Sequence, residues 1–205
     1  MPYSYTGNFP NQQIKNTGIF TTSDIVNLQS YGEWGGSLEL IEEQSATSGS
    51  SIDFTNIKGY EVHMIQYTDL RSTATTELKV RISNDGGSTF ISDGYKDGYC
   101  LATGTTFTDV RSTNRDSFRL GNRVGNNRSA GGYLYLYNLL NSSRYSAISH
   151  ASVSRDTDAS ASVRSAWGGS VYTTAEEHDA IRCYLPTGTF NGTGKIQLFG
   201  MKEIS

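Results

Sequence analysis

The chain has 205 residues with 17 Lys and Arg against 20 Asp and Glu, and its net charge of −3 excludes a general attraction to nucleic acid or to an anionic membrane surface. Thirteen Tyr and eight Phe beside three Pro exclude a disordered chain, and the 18% of charged residues leaves a polarity supplied mostly by Ser, Thr, Asn and Gly. Length and composition together suit one large β domain, with or without a short extension.

Residues 1–16 are polar, carry Pro2 and Pro10 and show no sustained period, which predicts an extended arm. Tyr3, Tyr5, Phe9 and Ile14 are spread along it. They offer too little apolar surface for a core of their own but enough to anchor in grooves on a partner, so they are the candidate attachment residues. Residues 21–32 predict a short helix: Thr22 or Ser23 caps the free amides, Asp24 suits the positive end, Ile25 and Leu28 share a face, and Gly32 ends it. A helix of this length must dock to persist. Residues 1–32 are therefore expected to serve assembly, and residues 33–205 to form the β domain. The N-terminus has no basic region followed by an apolar one, which leads to the expectation of a soluble protein made in the cytoplasm. The longest apolar run, near Leu134, is broken by Tyr and Asn and is too short to span a bilayer.

Strand signals dominate from Glu33 onward. Residues 37–42, 51–54 and 60–68 are the first candidates. In residues 76–90, Leu78, Val80 and Ile82 point one way and Glu77, Lys79 and Arg81 the other. Asn84-Asp85-Gly86-Gly87 then offers the positive-φ tolerance of a tight hairpin, with Thr89-Phe90-Ile91 as its return strand. Later candidates are residues 99–102, 117–120, 133–139, 144–153, 162–167, 171–174, 180–185 and 195–203. Residues 104–130, rich in Asn, Arg, Thr and Gly, read as a broad surface loop of the kind that carries contacts. Many short strands parted by Gly-rich and Ser-rich turns, with no repeat period, predict an all-β fold: an antiparallel two-sheet sandwich of jelly-roll type.

Residues that could carry chemistry are scattered. His63, His150 and His178 lie whole strands apart and show no zinc-binding spacing, and the first two read as ordinary sheet residues. Cys100 and Cys183 stand alone and read as reduced, half-buried thiols. Asp93 to Gly98 and Arg155 to Asp158 place carboxylates in loops but lack the ligand ladder of an EF-hand, and turn chemistry explains them. Glu176-Glu177-His178-Asp179 reads as a solvated acidic turn before a strand, and its carboxylates are the only clustered candidates for a hydrolase. No nucleophile elbow, phosphate loop or dinucleotide fingerprint occurs, so no enzymatic activity, cofactor or metal is expected.

The aromatic residues are more suggestive. Tyr133, Tyr135 and Tyr137 alternate with Leu134 and Leu136, which sets a tyrosine stripe opposite a leucine core face. Such a stripe stacks on sugar rings or buries in subunit contacts, and the three tyrosines are the candidate ligand-binding residues. Trp34 and Trp167, each followed by Gly-Gly, read as turns anchored by a buried indole.

The order of motifs resembles small virion structural proteins of tailed bacteriophages. It runs from the capped helix through Trp34-Gly35-Gly36-Ser37-Leu38-Glu39-Leu40, Ser51-Ile52-Asp53-Phe54-Thr55, residues 81–90 and residues 133–139 to the closing residues 192–201. The resemblance implies a β-sandwich used as fibre, tail, baseplate or capsid decoration, located in the virion and synthesised in the host bacterial cytoplasm. It also implies other virion proteins as partners and a homo-oligomer, commonly a trimer. Neither nucleic-acid binding nor membrane insertion is expected. The alternative is a host-surface glycan-binding module using the Tyr or Trp faces and the loop at residues 121–128.

Overall fold

The computed structural model describes residues 38–201 apart from 58, 127 and 156–161. The expected arm with Tyr3, Tyr5, Phe9 and Ile14, the expected short helix, Trp34, Asp156 and Asp158 lie outside these residues.

All regular structure among the described residues is β. The strands are β1 (Leu38–Ala46), β2 (Ser51–Phe54), β3 (Val62–Ser72), β4 (Lys79–Ser83), β5 (Tyr95–Thr103), β6 (Thr106–Arg115) and β7 (Phe118–Arg119). They continue as β8 (Ala130–Tyr137), β9 (Tyr145–Arg155), β10 (Val163–Ala175), β11 (Ala180–Tyr184), β12 (Phe190–Asn191) and β13 (Gly194–Met201). Two antiparallel sheets result. The larger has the order β1-β13-β3-β8-β9-β10-β5-β6, with β12 also on β3, and the smaller has the order β2-β11-β4-β7.

The alternation read from the sequence places the core. Ile52 and Phe54 of β2, Val80 and Ile82 of β4 and Ile181 and Cys183 of β11 all turn inward from the smaller sheet. They join Ile65 and Tyr67 of β3, Leu134 and Leu136 of β8 and Ile196 and Leu198 of β13 in one buried cluster. Full burial of each such aliphatic side chain contributes roughly 1.5–3 kcal/mol. Tyr95 ties the sheets together: its ring meets Phe118 edge-on at 4.7 Å, and its hydroxyl accepts from the Ile82 amide and donates to the Ile91 carbonyl.

Residues 84–94 depart from the expected hairpin. Gly86 and Gly87 do take positive φ, 73° and 85°, and the Asp85 carboxylate accepts from the amide and hydroxyl of Thr89. The chain then crosses to the larger sheet instead of returning beside β4, whose neighbours are β11 and β7. Among the described residues the one backbone-to-backbone bond from this segment to β4 runs from the Ile91 amide to the Ile82 carbonyl. Turn residues announce a reversal, whereas the partner of the next strand is chosen by the core.

The expected surface loop at residues 104–130 is corrected as well. Its first part is the ten-residue strand β6, and its last part is packed. Asn122 is buried, accepting from the Leu78 amide and donating to the Tyr67 hydroxyl, while the Arg123 amide donates to Ser154. This segment therefore ties the start of β4 to β3 and β9, and most of its described residues are buried. Trp167 is no turn anchor: it lies mid-strand in β10, which joins the two strands expected at 162–167 and 171–174.

Candidate binding face on the larger sheet

The two sheets turn very different faces outward. On the smaller sheet, Asp53 takes a bidentate pair from Arg182, Asp116 takes Arg81 and Lys79, and Glu77 takes Arg119. Arg182 and Arg81 also lie over the Phe90 and Tyr184 rings at 4.0 and 4.7 Å. Burial raises the Asp116 carboxyl, but hydrogen bonds from Lys79, Ser117 and Tyr184 and the charge of Lys79 outweigh it and hold the group at about 2. These charges satisfy one another.

The larger sheet is neutral across its middle. Register aligns Gln66, Tyr133, Ala151, Trp167, Cys100 and Asp109 in one outward row across β3, β8, β9, β10, β5 and β6. The next row is Met64, Tyr135, Ser149, Gly169, Gly98 and Arg111, and the third contains Val62, Tyr137, Ala147, Val171 and Lys96. No charged side chain occupies these rows on β8, β9 or β10.

Tyr133, Tyr135 and Tyr137 form a ridge, as their spacing in β8 required. Tyr133 is 46% exposed and meets Tyr135 edge-on at 5.8 Å, Tyr135 stacks on Tyr137 at 6.4 Å, and the Tyr137 hydroxyl lies 3.0 Å from the Ser149 hydroxyl. Trp167 is 44% exposed, two strands away, with Phe107 edge-on to it at 6.3 Å. Strands lie about 4.8 Å apart, so the tyrosine ridge and the Trp167 ridge stand roughly 10 Å apart over a floor of small side chains. That floor runs through Ser149 and Gly169 to Gly98, where a Cβ would point into open space. A depression of about 550 Å³ lies at its far end, bounded by Trp167, Gly98, Lys96, Asp109 and Arg111.

The remaining candidates are structural. Glu176 accepts from Asn84 and Tyr172, and Asp179 takes the Gly86 amide with both oxygens, so two carboxylates of the acidic segment clamp the 84–87 turn. Glu177 alone is solvated. His178 is fully buried rather than solvated, with Nδ1 on Ser146 and Nε2 3.5 Å from Glu176. His63 in β3 holds the Ile57 carbonyl through Nε2. His150 in β9 is buried against Tyr99 with neither ring nitrogen partnered, and burial pulls its pKa to about 4. Asp93 caps the Gly94 amide and Asp97 turns inward to Arg115. Cys100 is half-buried beside Asp109; Cys183 is buried, which pushes its thiol up to about 12. Among the described residues no group of three or more His, Cys, Asp and Glu could hold a metal ion.

Phe107, Gly98 and Arg111 are the face residues that the sequence does not point to, and Trp167, offered there only as a Trp face of the alternative, was expected as a buried turn anchor. A usable signal was present: Val163, Ser165, Trp167, Gly169 and Val171 keep period two straight through the Gly-Gly pair. The chain matches no protein-family model, no curated protein and no solved structure.

Proposed function

We propose that this chain is a non-enzymatic structural component of a tailed-phage virion. It is built on a jelly-roll sandwich, attached to the particle through its N-terminal arm, and assembled as a homotrimer. The observation that carries the reading is strand order. With the hairpins β5–β6 and β9–β10 set aside, the larger sheet reads β1-β13-β3-β8 and the smaller β2-β11-β4-β7. With β12 also set aside, strands alternate between the sheets along the chain except at β4 and β7, an order that supports the interleaved Greek keys of a jelly roll. Both hairpins extend the larger sheet beyond β8 and widen its neutral outer face. A broad face low in charge and rich in Tyr and Trp suits burial against sister subunits, where charged residues are depleted. The phage-like order of motifs supports the same reading.

Light scattering on the full chain tests the assembly: a trimer mass is expected, and a monomer at micromolar concentration would overturn it. Mass spectrometry and antibody labelling of purified phage particles from the host culture test the location; absence from the particles would sink it. The second reading, a host-surface glycan-binding module, is favoured by one observation, the half-exposed Trp167 beside an open floor. It does not use residues 121–126 and 128, most of which are buried.

A further inference from the structure

We propose that the depression beside Trp167 is a subsite for an acidic sugar, a uronic or sialic acid residue whose ring stacks on the indole and whose carboxylate lies between Lys96 and Arg111. The inference rests on the glycan-binding reading and names its ligand class.

Three features combine. The first is the platform: an indole 44% exposed, with Phe107 edge-on beside it, offers a flat apolar surface to the C–H face of a pyranose. The second is space. At Gly98 a Cβ would meet nothing within 4 Å, so the floor stays open where any other residue would fill it. The resulting volume of about 550 Å³ falls within the range of small-ligand sites. It is shallow, which suits a residue within or at the end of a longer chain.

The third feature is charge, and it selects the acidic sugar. Lys96 is exposed and has no hydrogen-bond or ion-pair partner among the described residues. Arg111, 82% exposed in its side chain, is held to Asp109 at only 3.4 Å. Asp109 offsets one of the two cations, so the rim keeps one positive charge on an otherwise neutral face. The guanidinium fork donates to a carboxylate in bidentate fashion, and Asp109 is placed to accept from a ring hydroxyl. A neutral sugar would leave Lys96 unused. A second copy of the chain would have to bring its own carboxylate to the same place.

The test uses the full chain carrying Trp34→Phe, so that Trp167 is the single remaining tryptophan and is excited selectively beyond the tyrosine band. It is titrated with oligogalacturonate, with α2,8-linked oligosialate and with a neutral oligogalactoside. A saturable fluorescence change with either acidic probe is expected, and the two probes separate uronic from sialic acid. Lys96→Gln should weaken that binding by about tenfold or more, through loss of a charged partner. Gly98→Leu, which fills the floor, should abolish it with the thermal transition retained. Calorimetry on Trp167→Ala should show no binding. Equal affinity for the neutral oligosaccharide, unmoved by Lys96→Gln, would overturn the acidic assignment and leave the glycan reading standing. Silence toward all three probes would overturn both. A trimer that falls to monomer on Gly98→Leu, with no sugar bound by the parent chain, would give the depression to a second copy instead.

Discussion

At the residue scale, the buried histidines set the acid limit of the fold. His150 stays neutral in the folded protein because burial pulls it to about 4, while an unfolded histidine titrates near 6.5. Between those values the unfolded chain binds a proton that the folded one does not, so stability falls as pH falls through that window, by on the order of 3 kcal/mol for this residue. Burial also lowers His63 and His178, which adds loss in the same direction. Asp116, held at about 2, extends the decline below pH 4 because its stabilising contacts need the carboxylate. Urea denaturation of His150→Leu at several pH values between 7 and 4.5 should show a clearly shallower decline than the parent. An unchanged slope would mean that His150 is not the titrating group. Two glycines on the neighbouring strands β10 and β5 give a second expectation. A Cβ at Gly168 would lie 2.4 Å from the Tyr99 Cα, whereas one at Gly98 meets open space. Gly168→Ala should therefore cost about 1–3 kcal/mol or more, and Gly98→Ala should be neutral or stabilising by up to ~1 kcal/mol. Thermal melts of the two variants check the ordering.

At the element scale, β8 divides its two faces between folding and contact. Leu134 is fully buried, and Leu134→Ala should cost about 2–5 kcal/mol in chemical denaturation. Tyr133, on the opposite face and 46% exposed, should cost less than about 1 kcal/mol on replacement by Ala. Equal losses at the two positions would show that the outer face is covered within the single chain. This strand was legible in the sequence because alternation is strict and side chains in β structure change face at every residue. β2 was legible for a different reason: Ile52 and Phe54 are bracketed by a Ser-rich turn and Asn56, and its expected bounds match. β6 was not, since its Thr, Asp, Arg, Ser and Asn side chains are mostly exposed and carry little apolar signal. It exists because β5, held inward by Tyr95 and Tyr99, offers it a free edge. His178, between β10 and β11, is hidden for a related cause: a buried polar residue looks solvated in sequence until its partner, Ser146 of β9, is known.

At the scale of the whole molecule, the contrast between the two outer faces carries the assembly expectation. A charge placed in the middle of the neutral rows would be buried without a partner in any subunit contact, which costs several kcal/mol. Tyr135→Glu should therefore lower the mass seen by light scattering from trimer to monomer while circular dichroism stays that of the parent. A variant that remains trimeric would place the contact elsewhere. Every ladder pair of the described sheets lies within residues 38–201, so removal of residues 1–16 leaves all of these pairs in the chain. The truncated chain should keep its β spectrum and melting temperature and fail to join the particle. Normal incorporation would show that attachment lies outside the arm.

Alternation, the places where turns interrupt it and the all-β character of residues 38–201 are legible in the sequence, because they depend on side-chain period and backbone preference within a few residues. The leucine and tyrosine faces of β8 and the turn at Asp85 to Gly87 belong to that class. Which strands are neighbours is set by long-range packing: the crossing after Ile91, the paths of β5 and β6 and the burial of Asn122 all follow from how two sheets share one core. The face that unites Tyr133 with Trp167 and Gly98 belongs to this second class, since its residues are tens of positions apart in the chain. They meet only because three successive ladders hold them in register.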